Sequence, residues 1–198
     1  MKKHFFIVII ITLMLMCSCT AGNGITDEEV EAMIPNFLRV YAYFDWATPE
    51  TSSQYGRIDV WAGWSENSRE IGNEIGEYYR VVDEKVDTWE EFVSDIKSVY
   101  TDEAADAILE KQDRFINYFG QTWCGYFMYN PELSDEFSFE IIENGSETAT
   151  VVCSIESDLI GLEGDYPETP FIMQWTLSMK LTDNGWRIDN AVKDVIYQ

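Results

Sequence analysis

Between Phe171 and Thr182 the chain alternates with a strict period of two. Phe171, Met173, Trp175, Leu177, Met179 and Leu181 fall on one side, and Ile172, Gln174, Thr176, Ser178, Lys180 and Thr182 on the other. Only an extended strand puts every second side chain on one face, and a face this apolar has to lie against a core while its opposite stays wet. Asp183-Asn184-Gly185 follows, a run suited to the positive φ angles of a tight turn, and Trp186-Arg187-Ile188-Asp189 then continues as a strand. A long, half-buried antiparallel hairpin therefore anchors the fold.

The same period governs the chain from about Arg114 onward. It predicts a strand or hairpin across Phe115–Tyr129, a strand at Phe137–Ile141, a turn at Glu143–Ser146 and a strand at Thr148–Ile155. Asn144-Gly145-Ser146 also matches a glycosylation sequon, but between two strands it is first of all a turn.

Upstream the period is helical. Thr26-Asp27-Glu28-Glu29 is a capping box, after which Val30, Met33, Ile34, Phe37, Tyr41 and Phe44 recur at helical spacing, with a kink or restart expected at Pro35. From Thr48 to about Gly76 glycine and serine break any sustained period, and only Arg57–Trp61 reads as a short strand. Tyr78–Val82 reads as a strand. Thr88-Trp89-Glu90-Glu91 opens a second capped helix, and Thr101 caps a third that carries Asp102 and Glu103 in its first turn. Helices first and an antiparallel sheet afterwards predict an α+β domain, with N-terminal helices packed on one face of a curved sheet.

The first residues read as an address. Lys2 and Lys3 precede the apolar run Phe5–Met16, which has the length of a signal-peptide core and is too short to span a bilayer. Ser18-Cys19 then resembles a bacterial lipoprotein signal, which makes Cys19 the lipidation candidate, residues 1–18 the signal, 19–25 a tether and 26–198 a single domain. The alternative is cleavage after Ala21, releasing a soluble secreted protein. Both readings place the mature chain outside the cytoplasm, and the lipid-anchored one puts it on the outer face of the cell membrane, touching the membrane through the lipid only.

Charge and histidine content then exclude whole classes of function. The chain carries 13 Lys and Arg against 36 Asp and Glu, a formal net charge of −23, so it lacks the basic stripe that nucleic-acid binding needs. Removal of the signal takes away Lys2 and Lys3 and moves the balance to −25. It also removes His4, the only histidine. A mature chain without histidine supports neither Ser-His nor Cys-His nucleophilic chemistry nor a histidine-bound zinc, and no catalytic residue or cofactor is assigned. Carboxylate pairs are too many among 36 acids for any one to be singled out as a glycosidase pair.

Three further groups are candidates. Asp158, Glu163, Asp165 and Glu168, with nearby glycines, have oxygens that could wrap calcium without EF-hand spacing; a solvated acidic loop is the competing reading. Cys124 and Cys153 are the pair that an exported location permits to bridge, and they read equally as two small buried apolar residues. Tyr43, Trp46, Tyr55, Trp61 and Trp64 lie in or beside the segment without a period and are the candidates for contact with a partner.

Tyr78-Tyr79-Arg80-Val81-Val82-Asp83, the capped helix after it, and Val99-Tyr100-Thr101-Asp102-Glu103-Ala104-Ala105-Asp106-Ala107-Ile108-Leu109 resemble the middle of the secreted DL-endopeptidase inhibitor (IseA-like) family of Gram-positive bacteria. Asp183-Asn184-Gly185-Trp186-Arg187-Ile188-Asp189-Asn190 resembles that family's last hairpin, and more loosely the ending of cystatin-like and nuclear-transport-factor-like lipoprotein domains. The resemblance implies a cystatin-like cone of sheet and helices. It also implies inhibition of cell-wall DL-endopeptidases, cysteine hydrolases of peptidoglycan peptides. A body this acidic is drawn to a basic cell-wall hydrolase by long-range steering. A surface lipoprotein that binds cell-wall sugar or peptide fragments is the first alternative, and a small-molecule enzyme in a cone-shaped pocket the second.

Overall fold

The segment Phe171–Thr182 is β7, and it is hydrogen-bonded along its length on both sides. One neighbour is β6 (Thr148–Ser157), in register from Thr148 opposite Lys180 to Ser157 opposite Phe171; the other is β8 (Gly185–Tyr197), from Gly185 opposite Thr182 to Tyr197 opposite Phe171. The predicted apolar face is the buried one: Phe171, Met173, Trp175, Leu177 and Met179 all lie in the core.

The structure, a computed structural model, describes residues 24–45, 49–61, 75–125, 133–157 and 171–197. Along the chain come α1 (Asp27–Asp45), β1 (Thr51–Trp61), β2 (Ile75–Val81), α2 (Trp89–Val99), α3 (Asp102–Lys111), β3 (Phe115–Tyr118), β4 (Gln121–Gly125) and β5 (Leu133–Asn144), followed by β6, β7 and β8. The class is α+β, but the described strands form two antiparallel sheets in place of the single sheet expected. Their orders are β1-β2-β4-β3 and β5-β6-β7-β8. The first sheet gains β1 from the glycine- and serine-rich segment expected to be mostly loop; its 11 residues exceed the short strand anticipated at Arg57–Trp61.

The helix starts are as the sequence dictates. The Thr26 amide donates to Glu29 Oε2 (2.9 Å) while the Glu29 amide donates to Thr26 Oγ1 (3.3 Å), and Thr88 and Glu91 repeat the exchange at 3.0 and 3.2 Å. These bonds, first the one from the Thr88 amide, hold the Glu91 carboxyl below the usual carboxylate range. Pro35 does not restart α1, which runs through it as one helix. Proline forfeits the bond to the carbonyl of residue 31, and both Pro35 and Glu31 lie on the exposed side of the helix, where the loss costs least.

α1 joins the two sheets. Phe37 and Tyr41 set their rings edge-on to Trp175 of β7, with centroids 6.0 and 5.6 Å away. Less than a turn further on, Tyr43 and Phe44 pack against Phe92 of α2 and Phe115 of β3. Arg39 ties the same helix to α2 through two bonds to Asp95 (2.6 and 2.7 Å), and the Arg39 guanidinium is held in its charged form by that carboxylate. Lys193 of β8 pairs with Asp45 at the end of α1. One continuous core results.

β8 contains a bulge. Met179 faces Ile188 and Ser178 faces Asn190, so Asp189 is the extra residue. Its Oδ1 accepts from the Thr101 hydroxyl (2.9 Å) while the Ile188 carbonyl accepts from the Thr101 amide (2.9 Å), which fixes the α2–α3 junction to the sheet. At the opposite strand pair the Asn144 side chain donates to the Ile25 carbonyl (2.9 Å), so the sequon asparagine secures the entry of the chain into the domain. Gly24 admits no side chain here, because a Cβ would stand 1.7 Å from Asn144 Oδ1.

The candidate Cys124–Cys153 bridge is absent. Both are buried free thiols, Cys124 on β4 of the first sheet and Cys153 on β6 of the second, so they behave as the small apolar residues of the competing reading. Burial pushes the Cys124 thiol up to about 11, with Arg114 opposing, and the Cys153 thiol up to about 12. An unfolded thiol ionises near about 8.5, so the stability these thiols contribute is whole below that pH and declines as the pH rises through it toward 11. At pH 8 an aromatic disulfide reagent is expected to leave both positions unlabelled in the native protein and to label both in urea, as read by peptide mapping. Fast native labelling of either would contradict this packing.

Candidate interaction site

Two-residue hairpin loops favour turns in which both central residues take positive φ, which is why Asn-Gly and Asp-Gly dominate them. The β3–β4 register, with Tyr118 opposite Gln121, leaves Phe119 and Gly120 as such a loop, and their φ angles are 52° and 78°. Gly120 takes this conformation freely. Phe119 does not: a bulky residue in the left-handed region costs on the order of 1–2 kcal/mol.

That strained residue is also the most exposed large apolar side chain described, at 89% of its full accessibility. The ring of Tyr118, 44% exposed, stands edge-on to Phe119 at 4.5 Å and to Trp123 at 5.9 Å. Trp123 is diagonal to Tyr118 across the hairpin and buried, and its indole N–H has no acceptor among the described residues. The tip thus presents two aromatic rings backed by a third.

The tip is clamped. Gly120 donates its amide to Asn117 Oδ1 (2.9 Å), and its carbonyl accepts from the Trp89 amide at the start of α2 (3.0 Å). The Thr122 amide donates to the Asp87 carbonyl (3.0 Å), and Arg80 joins Gln121 to Asp87, the latter at 2.7 Å. Beside it an open trough of about 590 Å³ runs along α2 past Lys85, Glu90, Glu91, Ser94 and Asp95. Asp95 is neutralised by Arg39 and Glu91 caps the helix, while Lys85 and Glu90 stand exposed in the trough with opposite charges. Exposed rings on a backbone clamped in this way suit insertion into an apolar groove.

Of the residues expected to contact a partner, Tyr43 is corrected. It is 5% exposed, packs on Phe92 and Phe115, and its hydroxyl accepts from Arg39 Nη1 (2.8 Å), so it belongs to the core. Burial, opposed by Arg39, raises its phenol above the ordinary value. Tyr55 and Trp61 are placed on β1 by their backbone; their side chains, and Trp46 and Trp64 entirely, lie outside the described residues. So do Cys19 and the calcium candidates Asp158, Glu163, Asp165 and Glu168. Among the described residues no three His, Cys, Asp or Glu side chains gather as a metal site, and no helix is long and apolar enough to cross a membrane.

Tyr118 and Phe119 were not among the sequence candidates. Their signal is local: an aromatic pair immediately before a lone glycine, in the place where a tight hairpin would carry Asn-Gly. Searches of protein-family models, curated proteins and solved structures find no match to this chain.

Proposed function

We propose that the chain is an exported lipoprotein that acts by binding, inhibiting a peptidoglycan DL-endopeptidase through the β3–β4 tip. The observation that carries this reading is Phe119, which the fold holds exposed in a backbone conformation unfavourable to it. The resemblance of Tyr78–Asp83, Val99–Leu109 and Asp183–Asn190 to inhibitors of these hydrolases supports the choice of partner. So does a net charge of −23, which favours a basic enzyme. Insertion of the Phe119 ring into an apolar groove supplies about 1.5–3 kcal/mol of burial, and steering by the acidic body raises the rate of encounter. No catalytic residue is needed for this role.

The test is clearing of purified peptidoglycan by a DL-endopeptidase with and without the protein, at low and at moderate salt. Clearing is expected to stop near one-to-one stoichiometry and to recover partly as salt rises. Clearing that is untouched at large excess, for several such enzymes, overturns the proposal and moves binding of cell-wall fragments to first place.

A further inference from the structure

A second feature lies away from the hairpin tip. Between α1, α3 and the bulged part of β8 a cleft of about 240 Å³ opens, and small side chains make the room: Ala104 and Ala107 on α3 and Ala191 on β8. Tyr41 and Ile108 add apolar wall. The volume is below that of most drug-sized sites and suits a ligand of amino-acid size.

The polar side chains of Tyr100, Lys111, Asp189 and Asn190 also line this space. Tyr100 is 4% exposed and packs edge-on to Phe37 (6.3 Å), yet its hydroxyl has no hydrogen-bond partner among the described residues. Its ring is buried but its oxygen opens on the cleft, where it is free to bond a ligand oxygen in place of water. Burial also raises the phenol well above its ordinary value, so at neutral pH the hydroxyl is a donor. Lys111, exposed in the last turn of α3, makes no ion pair among the described residues. Asp189, on the β8 side, uses one carboxylate oxygen to accept from Thr101, and Asn190 follows it.

We infer that this cleft binds the zwitterion of an apolar amino acid. Its carboxylate lies against the Tyr100 hydroxyl and the Lys111 ammonium, its ammonium against Asp189, and its side chain among Ala104, Ala107 and Ile108. The inference is independent of the hydrolase proposal, since no residue of the cleft belongs to the hairpin tip. Neither charge is sufficient alone. An acid without an amine leaves Asp189 facing no cation, and an amine without a carboxylate meets Lys111.

The experiment is a titration of the uniformly ¹⁵N-labelled protein with racemic leucine, isocaproate and isoamylamine, read by amide chemical shifts. Leucine is expected to move the amides of Ala104, Ala107, Ile108 and Ala191, with each singly charged analogue binding about tenfold more weakly. Tyr100→Phe, which keeps the ring packing, and Lys111→Met are each expected to weaken leucine about tenfold with an otherwise unchanged spectrum. No shift at these amides with leucine, equal binding of either analogue, or full affinity in both variants overturns the inference.

Discussion

Replacing Trp175 with alanine is expected to cost about 3–5 kcal/mol, the range for removing a fully buried large aromatic side chain. Trp175 is completely buried at the centre of β7, and both Phe37 and Tyr41 of α1 rest edge-on against it. The cavity would open where α1, which packs against both sheets, meets the second of them, so neighbours on two layers lose their partner at once. Against a total stability of about 5–15 kcal/mol for a domain, a loss of this size removes at least about a fifth of the margin and, at the low end of that range, all of it. Urea unfolding followed by far-ultraviolet circular dichroism measures it directly. A midpoint within a small fraction of the native one would mean that α1 is not seated on β7 as described. Trp175→Phe refills most of the volume and is expected to cost less than half as much.

Trp175 also marks how far the fold could be read from the sequence. Its position in an unbroken alternation assigned both its strand and its face, and the capping boxes at Thr26 and Thr88 assigned two helix starts, because in each case the physical cause is local. The division into two sheets has no local cause. It depends on which strand finds β2, and β2 pairs with β1 and β4, one on each side of it in sequence and the latter beyond two helices. That pairing separates Cys124 from Cys153, so a bridge that exported chemistry permits does not form. Tyr43 failed for a related reason. It precedes a segment without a period, but it is still on α1, and α1 turns it toward Phe92 and Phe115.

The candidate site was least legible because its mark is a misfit rather than a motif. A search for favourable patterns passes over Phe119, since phenylalanine is what a primed turn does not want. This misfit leads to the second large effect. Phe119→Asn is expected to stabilise the domain while destroying the inhibition proposed for it. Asparagine takes positive φ readily, relieving about 1–2 kcal/mol of backbone strain, and the loss of the exposed ring contact with Tyr118 gives back about 0.5–1 kcal/mol. The balance is a gain of about 0.5–1 kcal/mol, visible as a higher melting temperature. In the clearing assay the same variant loses an anchor whose truncation at an interface costs about 2 kcal/mol or more, so roughly thirtyfold more protein is needed for equal inhibition. Phe119→Ala separates the two effects, because alanine loses the ring without gaining a preference for the left-handed region, and it should be inhibition-deficient with no gain in stability. If Phe119→Asn is more stable and inhibits as well as before, the ring is not the contact and the strain has no function at this surface. If stability rises as inhibition falls, the hairpin holds its phenylalanine against the preference of its own backbone, and the reason for doing so lies in the partner.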